Sequence, residues 1–218
     1  MNTFNKSLIF IKEIRNGKSL LRIMMNLKLW GRVLDGNVLD IGGGSNPSYL
    51  RFFQKGRNLE FIGIDLVGPE GGLRIDVEKD KLPYADASID KILLFNILEH
   101  IYNYQHLLAE CHRVLKKNGW VWGFVPFLVG VHPDPHDYFR YTKESLEIIF
   151  KEAGFPDTHT EEVGWGPFAV NYNNLMNYLP IVFRVVLLPP YYLLDYLVLK
   201  LKPSLRQKFP LGYFFEIR

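Results

Sequence analysis

The chain contains a single cysteine, Cys111, in a stretch that reads as a helix. One thiol excludes an internal disulfide and a cysteine-based metal cluster, and it suits a reducing compartment. Excess charge is equally scarce: 26 basic and 23 acidic side chains leave a formal net charge of +3. That balance lacks the concentrated basic surface of a nucleic-acid binder, so nucleic acid is not expected as a main partner. A secretory leader is not expected either, because Lys6, Lys12 and Glu13 interrupt the first apolar residues and no small-residue cleavage site follows. The expected location is cytoplasmic.

What the chain has is a hydrophobic content of 48% over 218 residues, enough for one sizeable α/β core and short for two. Residues 1–36 carry spaced apolar positions such as Leu8, Ile11, Leu20, Ile23 and Leu27, the pattern of an amphipathic helical flank. From Asn37 the pattern changes to short apolar runs closed by Gly, Asp or Pro and alternating with longer helical stretches. Such alternation predicts a Rossmann-like, doubly wound, mostly parallel α/β sheet. The strands fall at Val38–Ile41, Glu60–Ile64, Leu73–Ile75, Ile89–Phe95, Trp120–Pro126, Thr158–Val163 and Gly212–Ile217, about seven in all. Helices are expected over Pro47–Gln54, Tyr102–Lys116 and Lys143–Ala153, the second stopped by Asn118-Gly119. The chain thus divides into the flank, a cofactor-binding core at 37–164, an apolar helical insertion at 165–210 and a last strand at 211–218, all one domain.

The turn after the first strand holds the chemistry. In Val38-Leu-Asp-Ile-Gly-Gly-Gly-Ser-Asn-Pro47, Gly42 and Gly44 lack the β-carbons that would keep a ligand away from the backbone. A tight strand-to-helix connection also uses glycines, so the turn alone is weak. Asp65, closing the second strand about 20 residues on, adds a carboxylate placed to accept hydrogen bonds from both ribose hydroxyls. Asp40 then separates two cofactors. An anionic side chain two positions before the first glycine opposes a pyrophosphate, whereas the sulfonium and α-ammonium groups of S-adenosylmethionine are cationic.

These segments, together with Asp76, Leu82-Pro83, Ser88-Ile-Asp90, Leu98-Glu-His100 and Arg113-Val-Leu-Lys-Lys-Asn-Gly119, resemble class I methyltransferases of the type 11 group. The ordered set covers residues 37 to about 126. The resemblance implies S-adenosylmethionine as cofactor, with Asp40, Gly42 and Gly44 around its methionine part and Asp65 on the ribose. It also implies Asp76 with Val77 near the adenine, and Asn96 with Ile97 along the methionine side. One departure is Asn46, followed by Pro47, where the usual pattern has a third glycine.

Beyond the fourth and fifth strands lie Glu99-His100 and the run Val131-His-Pro-Asp-Pro-His-Asp-Tyr-Phe-Arg-Tyr-Thr142, at the carboxyl ends where open α/β sheets bind ligands. His132 and His100 are the candidate bases for a hydroxyl acceptor; Asp137, Tyr138 and Arg140 are candidate acceptor contacts. The loop's polar and flat groups suit a sugar-like or lipid-linked acceptor. A bland reading, in which Arg140 simply pairs with Asp137, competes with this. Metal is not expected, because Pro133 and Pro135 preclude the helical turn that would set His132 and His136 on one face.

Leu175–Leu201 reads as an apolar helical hairpin, divided at Pro189-Pro190, that touches a membrane surface without crossing it. Packing over the core or against a homodimer partner is the alternative. Two other functions compete with methyl transfer: a NAD-dependent oxidoreductase, which Asp40 and the absent third glycine oppose, and a non-catalytic protein that keeps the cofactor fold.

Overall fold

The computed structural model describes residues 3–44, 47–65 and 73–218. The chain forms two compact units. The larger comprises Leu29–Pro126, Val131–Glu161 and Tyr213–Arg218, the smaller Met1–Lys28, Phe127–Gly130 and Glu162–Gly212.

The larger unit is built on a seven-stranded sheet. In chain order its strands are β1 (Asn37–Ile41), β2 (Glu60–Asp65), β3 (Leu73–Arg74), β4 (Ile89–Phe95), β5 (Leu115–Pro126), β6 (Thr158–Val163) and β7 (Gly212–Ile217). Their spatial order is β3-β2-β1-β4-β5-β7-β6, with β1 to β5 parallel. The central strands are apolar because both faces are covered: Val38, Leu39, Ile92, Leu93 and Leu94 are wholly buried. Chain progression reverses between β1 and β4, which pair at Asp40 and Leu93. At such a reversal the loops leaving the two strands part and open a crevice at their carboxyl ends. The expected α/β architecture and strand number are found.

Two local expectations are corrected. Pro47–Gln54 is not a helix; only Leu50–Phe52 forms a single 3-10 turn, and Gln54–Lys55 pairs in parallel with Val33–Leu34. Burial of Phe52 and Phe53 decides this, with Phe53 stacked on Trp122 at 6.0 Å and Tyr49 edge-on to Phe95 at 4.8 Å. The helix begun at Tyr104, α3 (Tyr104–Val114), stops two residues before Lys116. Its last carbonyls accept hydrogen bonds from Ala87 and Ser88, the residues leading into β4, so the chain turns straight into β5. Asn118-Gly119 is no helix stop. The register slips between Ile89 and Lys91 opposite this segment, and a β-carbon on Gly119 would lie 2.9 Å from the Asp90 carbonyl oxygen, the mark of a bulge. The helix α4 (Lys143–Glu152) follows β5 as expected, with the Thr142 hydroxyl accepting from the Ser145 N–H at its start.

The smaller unit is helical: α1 (Thr3–Arg15), α2 (Leu20–Leu29, all but its last residue), α5 (Pro167–Met176), α6 (Ile181–Leu201) and α7 (Leu205–Lys208). Leu20, Ala169, Tyr172, Met176 and Leu211 form its core. The hairpin expected at Leu175–Leu201 is corrected too. Its arms are α5 and α6, and α6 runs unbroken for 21 residues through Pro189 and Pro190. Proline normally breaks or kinks a helix, yet α5 braces this one on both sides of the pair. The Tyr172 hydroxyl donates to the Arg184 carbonyl at 2.6 Å, Tyr191 donates to Asn171 at 3.1 Å, and Asp195 accepts the first free N–H groups of α5.

Candidate active site

The cofactor side begins where β1 ends. Asp40 is wholly buried, and both its carboxylate oxygens accept from the Tyr49 hydroxyl, at 2.6 and 2.7 Å. Burial pushes its pKa up to about 7, the Tyr49 hydrogen bond pulls it down, and the nearby Asp65 carboxylate pushes it up again. The turn then winds through positive φ at Gly42 (77°) and Gly44 (68°). Gly43 is the tightest point: a β-carbon there would sit 2.0 Å from Asp40 Oδ2 and 2.5 Å from the Tyr49 hydroxyl. Glycine at 43 is therefore imposed by space, and at 42 and 44 by backbone conformation.

Asp65, at the end of β2, faces the same turn. Its Oδ2 lies 4.0 Å from where a β-carbon on Gly44 would stand. Asn96, at the end of β4, has φ 53°, a left-handed conformation that asparagine tolerates better than most residues and that gathers at functional sites. The Ile97 side chain closes over Gly42, its Cδ1 2.5 Å from the β-carbon position. Asp40, Gly42, Gly44, Asp65 and Ile97 are thus brought together. Asp76 and Val77 lie just past β3, where Asp76 accepts from the Glu78 N–H and from Lys79 Nζ. The Lys79 contact holds its carboxyl below the ordinary range. Asn46 lies outside the described residues.

These groups fit S-adenosylmethionine. A buried carboxylate faces a turn whose missing β-carbons leave room beside it, and a second carboxylate stands at the neighbouring strand end, as cationic and ribose groups respectively require.

The acceptor side is formed by the ends of β4 and β5. Leu98–His100 make a 3-10 turn in which Glu99 is wholly buried and His100 nearly so. The Glu99 carbonyl accepts from the Tyr138 and Phe139 N–H groups, which ties the loop after β5 to this turn. His100 Nδ1 meets the His136 carbonyl. His132 lies edge-on to His100 with ring centroids 5.3 Å apart, and the nearest ligand atoms of Glu99, His100 and His132 all fall within 4.8 Å of one another. His136 is not in that group; its ring packs on Tyr138 at 5.2 Å.

Asp137 and Arg140 pair in a two-pronged geometry, Nη1 to Oδ1 at 2.5 Å and Nη2 to Oδ2 at 2.7 Å. Asp137 also accepts the His132 N–H at 2.8 Å. Arg140 holds the Asp137 carboxyl far below the usual range, and the pair raises the pKa of Arg140, with Glu99 adding to the rise. Tyr138 is exposed and forms an aromatic wall with Tyr102, at 5.4 Å, and Phe139. Sequence reasoning missed two members of the site, Tyr49 as partner of Asp40 and Gly43 as its spacer, and it placed Glu99 beside His100 on the acceptor side without giving that carboxylate a role. Only Glu99 carried a signal, an acidic residue inside the apolar run Ile97-Leu-Glu-His-Ile101.

Residues 39–123 match the family model described as a methyltransferase domain. A Mycobacterium tuberculosis protein named as a probable S-adenosylmethionine-dependent methyltransferase is 28% identical over 83 residues, covering 35% of this chain and 30% of that protein. An uncharacterized methyltransferase of Mycobacterium sp. (strain KMS) is 32% identical over 91 residues, 38% of this chain and 35% of its own. The chain thus matches about a third of the length of these curated relatives. Among solved structures, an Archaeoglobus fulgidus SAM-dependent methyltransferase superposes with TM-score 0.54 at 20% identity, over 90% of both chains. Haemonchus contortus phosphoethanolamine N-methyltransferase 2, solved with phosphomonomethylethanolamine and S-adenosylhomocysteine, gives TM-score 0.52 at 18% identity, over 88% of this chain and 51% of that one. Both structural likenesses establish the fold.

Proposed function

We propose that the chain, whose residues 39–123 match the methyltransferase-domain model, is a class I S-adenosylmethionine-dependent methyltransferase, and that it methylates a hydroxyl of a small, sugar-like or lipid-linked acceptor. The observation that carries this reading is the convergence of Asp40, Gly43 and Asp65 at one strand-end turn, with His100 and His132 at the adjoining strand ends. Bound S-adenosylmethionine supplies an electrophilic methyl group on a sulfonium. The chain's own task is to hold the acceptor oxygen in line with that methyl and to help remove its proton, through His100 or His132. Asp40, Asp65 and the Gly42–Gly44 turn would hold the cofactor so that its carbon–sulfur bond could break as the acceptor oxygen takes the methyl, with S-adenosylhomocysteine as the leaving product. Tyr102, Tyr138 and Phe139 offer a flat wall for a sugar ring, while the Asp137–Arg140 pair orders the loop and presents its polar edge. The helical unit is read as part of the same methyltransferase domain. The experiment is to follow S-adenosylhomocysteine release by the purified protein with sugar nucleotides, glycolipids and small phenols. Turnover is expected with a hydroxylated member of that panel; turnover confined to amine acceptors contradicts the assignment.

The apolar helix α6 supports contact with a membrane surface. It is long and apolar enough to cross a bilayer by length and composition, and most of its surface is exposed, including Val182, Phe183, Val186, Leu193 and Tyr196. It does not cross in this reading, because β6 before it and β7 after it are neighbours in one sheet, so the chain must return to the side it left. An open cavity of about 540 Å³ beside its carboxyl half is lined by Trp165, Tyr192 and Tyr196 with Lys200, Arg206 and Asp195, whose carboxylate is held by the α5 N–H groups, so the two cations are left to face an anionic headgroup.

A further inference from the structure

We propose that Glu99, His100 and His132 form a binding site for a first-row divalent cation such as Mn²⁺, Co²⁺ or Zn²⁺. Two imidazoles and one carboxylate suit these ions. The two histidines come from neighbouring strand ends, His100 after β4 and His132 after β5, and both turn Nε2 toward the same oxygen. Glu99 Oε1 stands 3.7 Å from His100 Nε2 and 3.9 Å from His132 Nε2. Ligand atoms bound at about 2.1 Å to a tetrahedral or octahedral ion lie roughly 3.0 to 3.4 Å apart, so the two Glu99 distances must shorten by about half an ångström, and the three atoms, now within 4.8 Å of one another, draw together around the ion. Rotation of the His132 side chain, which is 44% exposed, supplies such a movement.

The opposite edges of both rings are already held. The His136 carbonyl accepts from His100 Nδ1, which places the proton there and leaves the Nε2 lone pair facing Glu99. Arg140 Nη2 donates to His132 Nδ1 at 3.4 Å, and Asp137 Oδ2 lies 3.6 Å from the same nitrogen, beyond hydrogen-bond reach. The carbonyl behind His100 is the outer contact that fixes histidine ligands at metal sites, whereas a cation at His132 Nε2 requires that ring to exchange Arg140 for Asp137 at Nδ1.

Three protein ligands leave positions for exchangeable oxygens. Resting on the methyltransferase reading, an acceptor hydroxyl takes one of them. The cation lowers its pKa, the proton passes to bulk water, and the resulting alkoxide forms the new bond to the methyl carbon as the carbon–sulfur pair of electrons goes to sulfur. The histidines then act as ligands, and they assist deprotonation through the ion.

The test is calorimetric titration of chelator-treated protein with Mn²⁺ and, separately, with Co²⁺, whose visible absorption gains intensity on entering a low-symmetry protein site. One-to-one binding in the micromolar range is expected. Affinity should fall by about 100-fold or more in His132→Ala and in Glu99→Gln, and stay within about twofold in His159→Ala, an exposed histidine elsewhere on the sheet. S-adenosylhomocysteine binding to the same metal-free variants shows that they are folded. Absence of binding by Mn²⁺, Co²⁺ and Zn²⁺ up to about 1 mM, or binding indifferent to both ligand substitutions, overturns the site. The two readings separate: cation binding without S-adenosylhomocysteine binding removes the methyltransferase role and keeps the site, and the converse result removes the site alone.

Discussion

The Tyr49 hydroxyl reaches both carboxylate oxygens of Asp40, at 2.6 and 2.7 Å, and is the hydrogen bond that opposes the burial of that carboxyl. With a pKa raised from 3.8 to about 7, Asp40 binds a proton more tightly in the folded than in the unfolded chain. The unliganded protein is therefore expected to lose stability as pH rises from about 4 to about 7 through this group, and Asp40→Asn should flatten that part of the profile. Binding of a cationic cofactor runs the other way, because ionised Asp40 is the form it favours. Affinity for S-adenosylmethionine should rise about tenfold between pH 6 and pH 8, measured as the difference from Asp40→Asn to cancel the ligand's own titration. Tyr49→Phe should move the rise upward by about one pH unit, and a wild-type profile no steeper than that of Asp40→Asn contradicts the role given to this pair.

Neighbouring glycines should differ in kind. Gly43→Ala drives a β-carbon to 2.0 Å from Asp40 Oδ2, whereas Gly44→Ala meets nothing nearer than 4.0 Å and bears only the strain of its φ of 68°. Gly44→Ala is expected to cost about 1 to 2 kcal/mol of stability and to retain cofactor binding. Gly43→Ala should abolish detectable S-adenosylhomocysteine binding. Equal affinities in the two variants would count against the packing described at the turn.

The sheet was legible because its middle strands are buried on both faces, so Val38–Ile41, broken only by Asp40, and the apolar run Ile92–Phe95 stand out before Gly42 and Asn96. The turn at Asp40 was legible for the same reason, since a carboxylate at the end of such a run needs a purpose. Tyr49 was not. Its place depends on Pro47–Gln54 failing to form a helix, and that follows from aromatic packing of Phe53 on Trp122, some 69 residues away along the chain. Gly119 was misread because a glycine after a helical pattern looks alike as a cap or as a bulge until the partner strand is known. The prolines of α6 misled for a related reason: local propensity yields when α5 holds both sides of the break.

Asp195 tests that bracing. Its side chain is buried and accepts from the Phe168 and Ala169 N–H groups at 3.0 and 2.7 Å, so it caps α5 from the middle of α6. Asp195→Ala should lower stability by about 1 to 2 kcal/mol, read by denaturant melts. Far-ultraviolet dichroism should show lost helix before the sheet unfolds. A change below about 0.3 kcal/mol would mean that α5 is held by its apolar core alone.

Vesicle co-sedimentation addresses α6. Wild type is expected to pellet with vesicles containing phosphatidylglycerol, and Val186→Asp with Leu193→Asp should leave it in the supernatant with cofactor binding unchanged. Lys200→Glu with Arg206→Glu should weaken binding selectively to anionic vesicles. Wild type that stays in solution with both anionic and neutral vesicles removes the membrane reading.

Calorimetric titration of the wild type and of Asp65→Ala with S-adenosylhomocysteine tests the central claim most directly. One-site binding is predicted for wild type. Loss of the carboxylate at the end of β2 should weaken it by about 1.5 to 3 kcal/mol, roughly 10- to 150-fold, with the melting temperature of the unliganded protein little changed. Wild type that binds no S-adenosylhomocysteine, or a folded Asp65→Ala that binds it as tightly as wild type, would contradict the account.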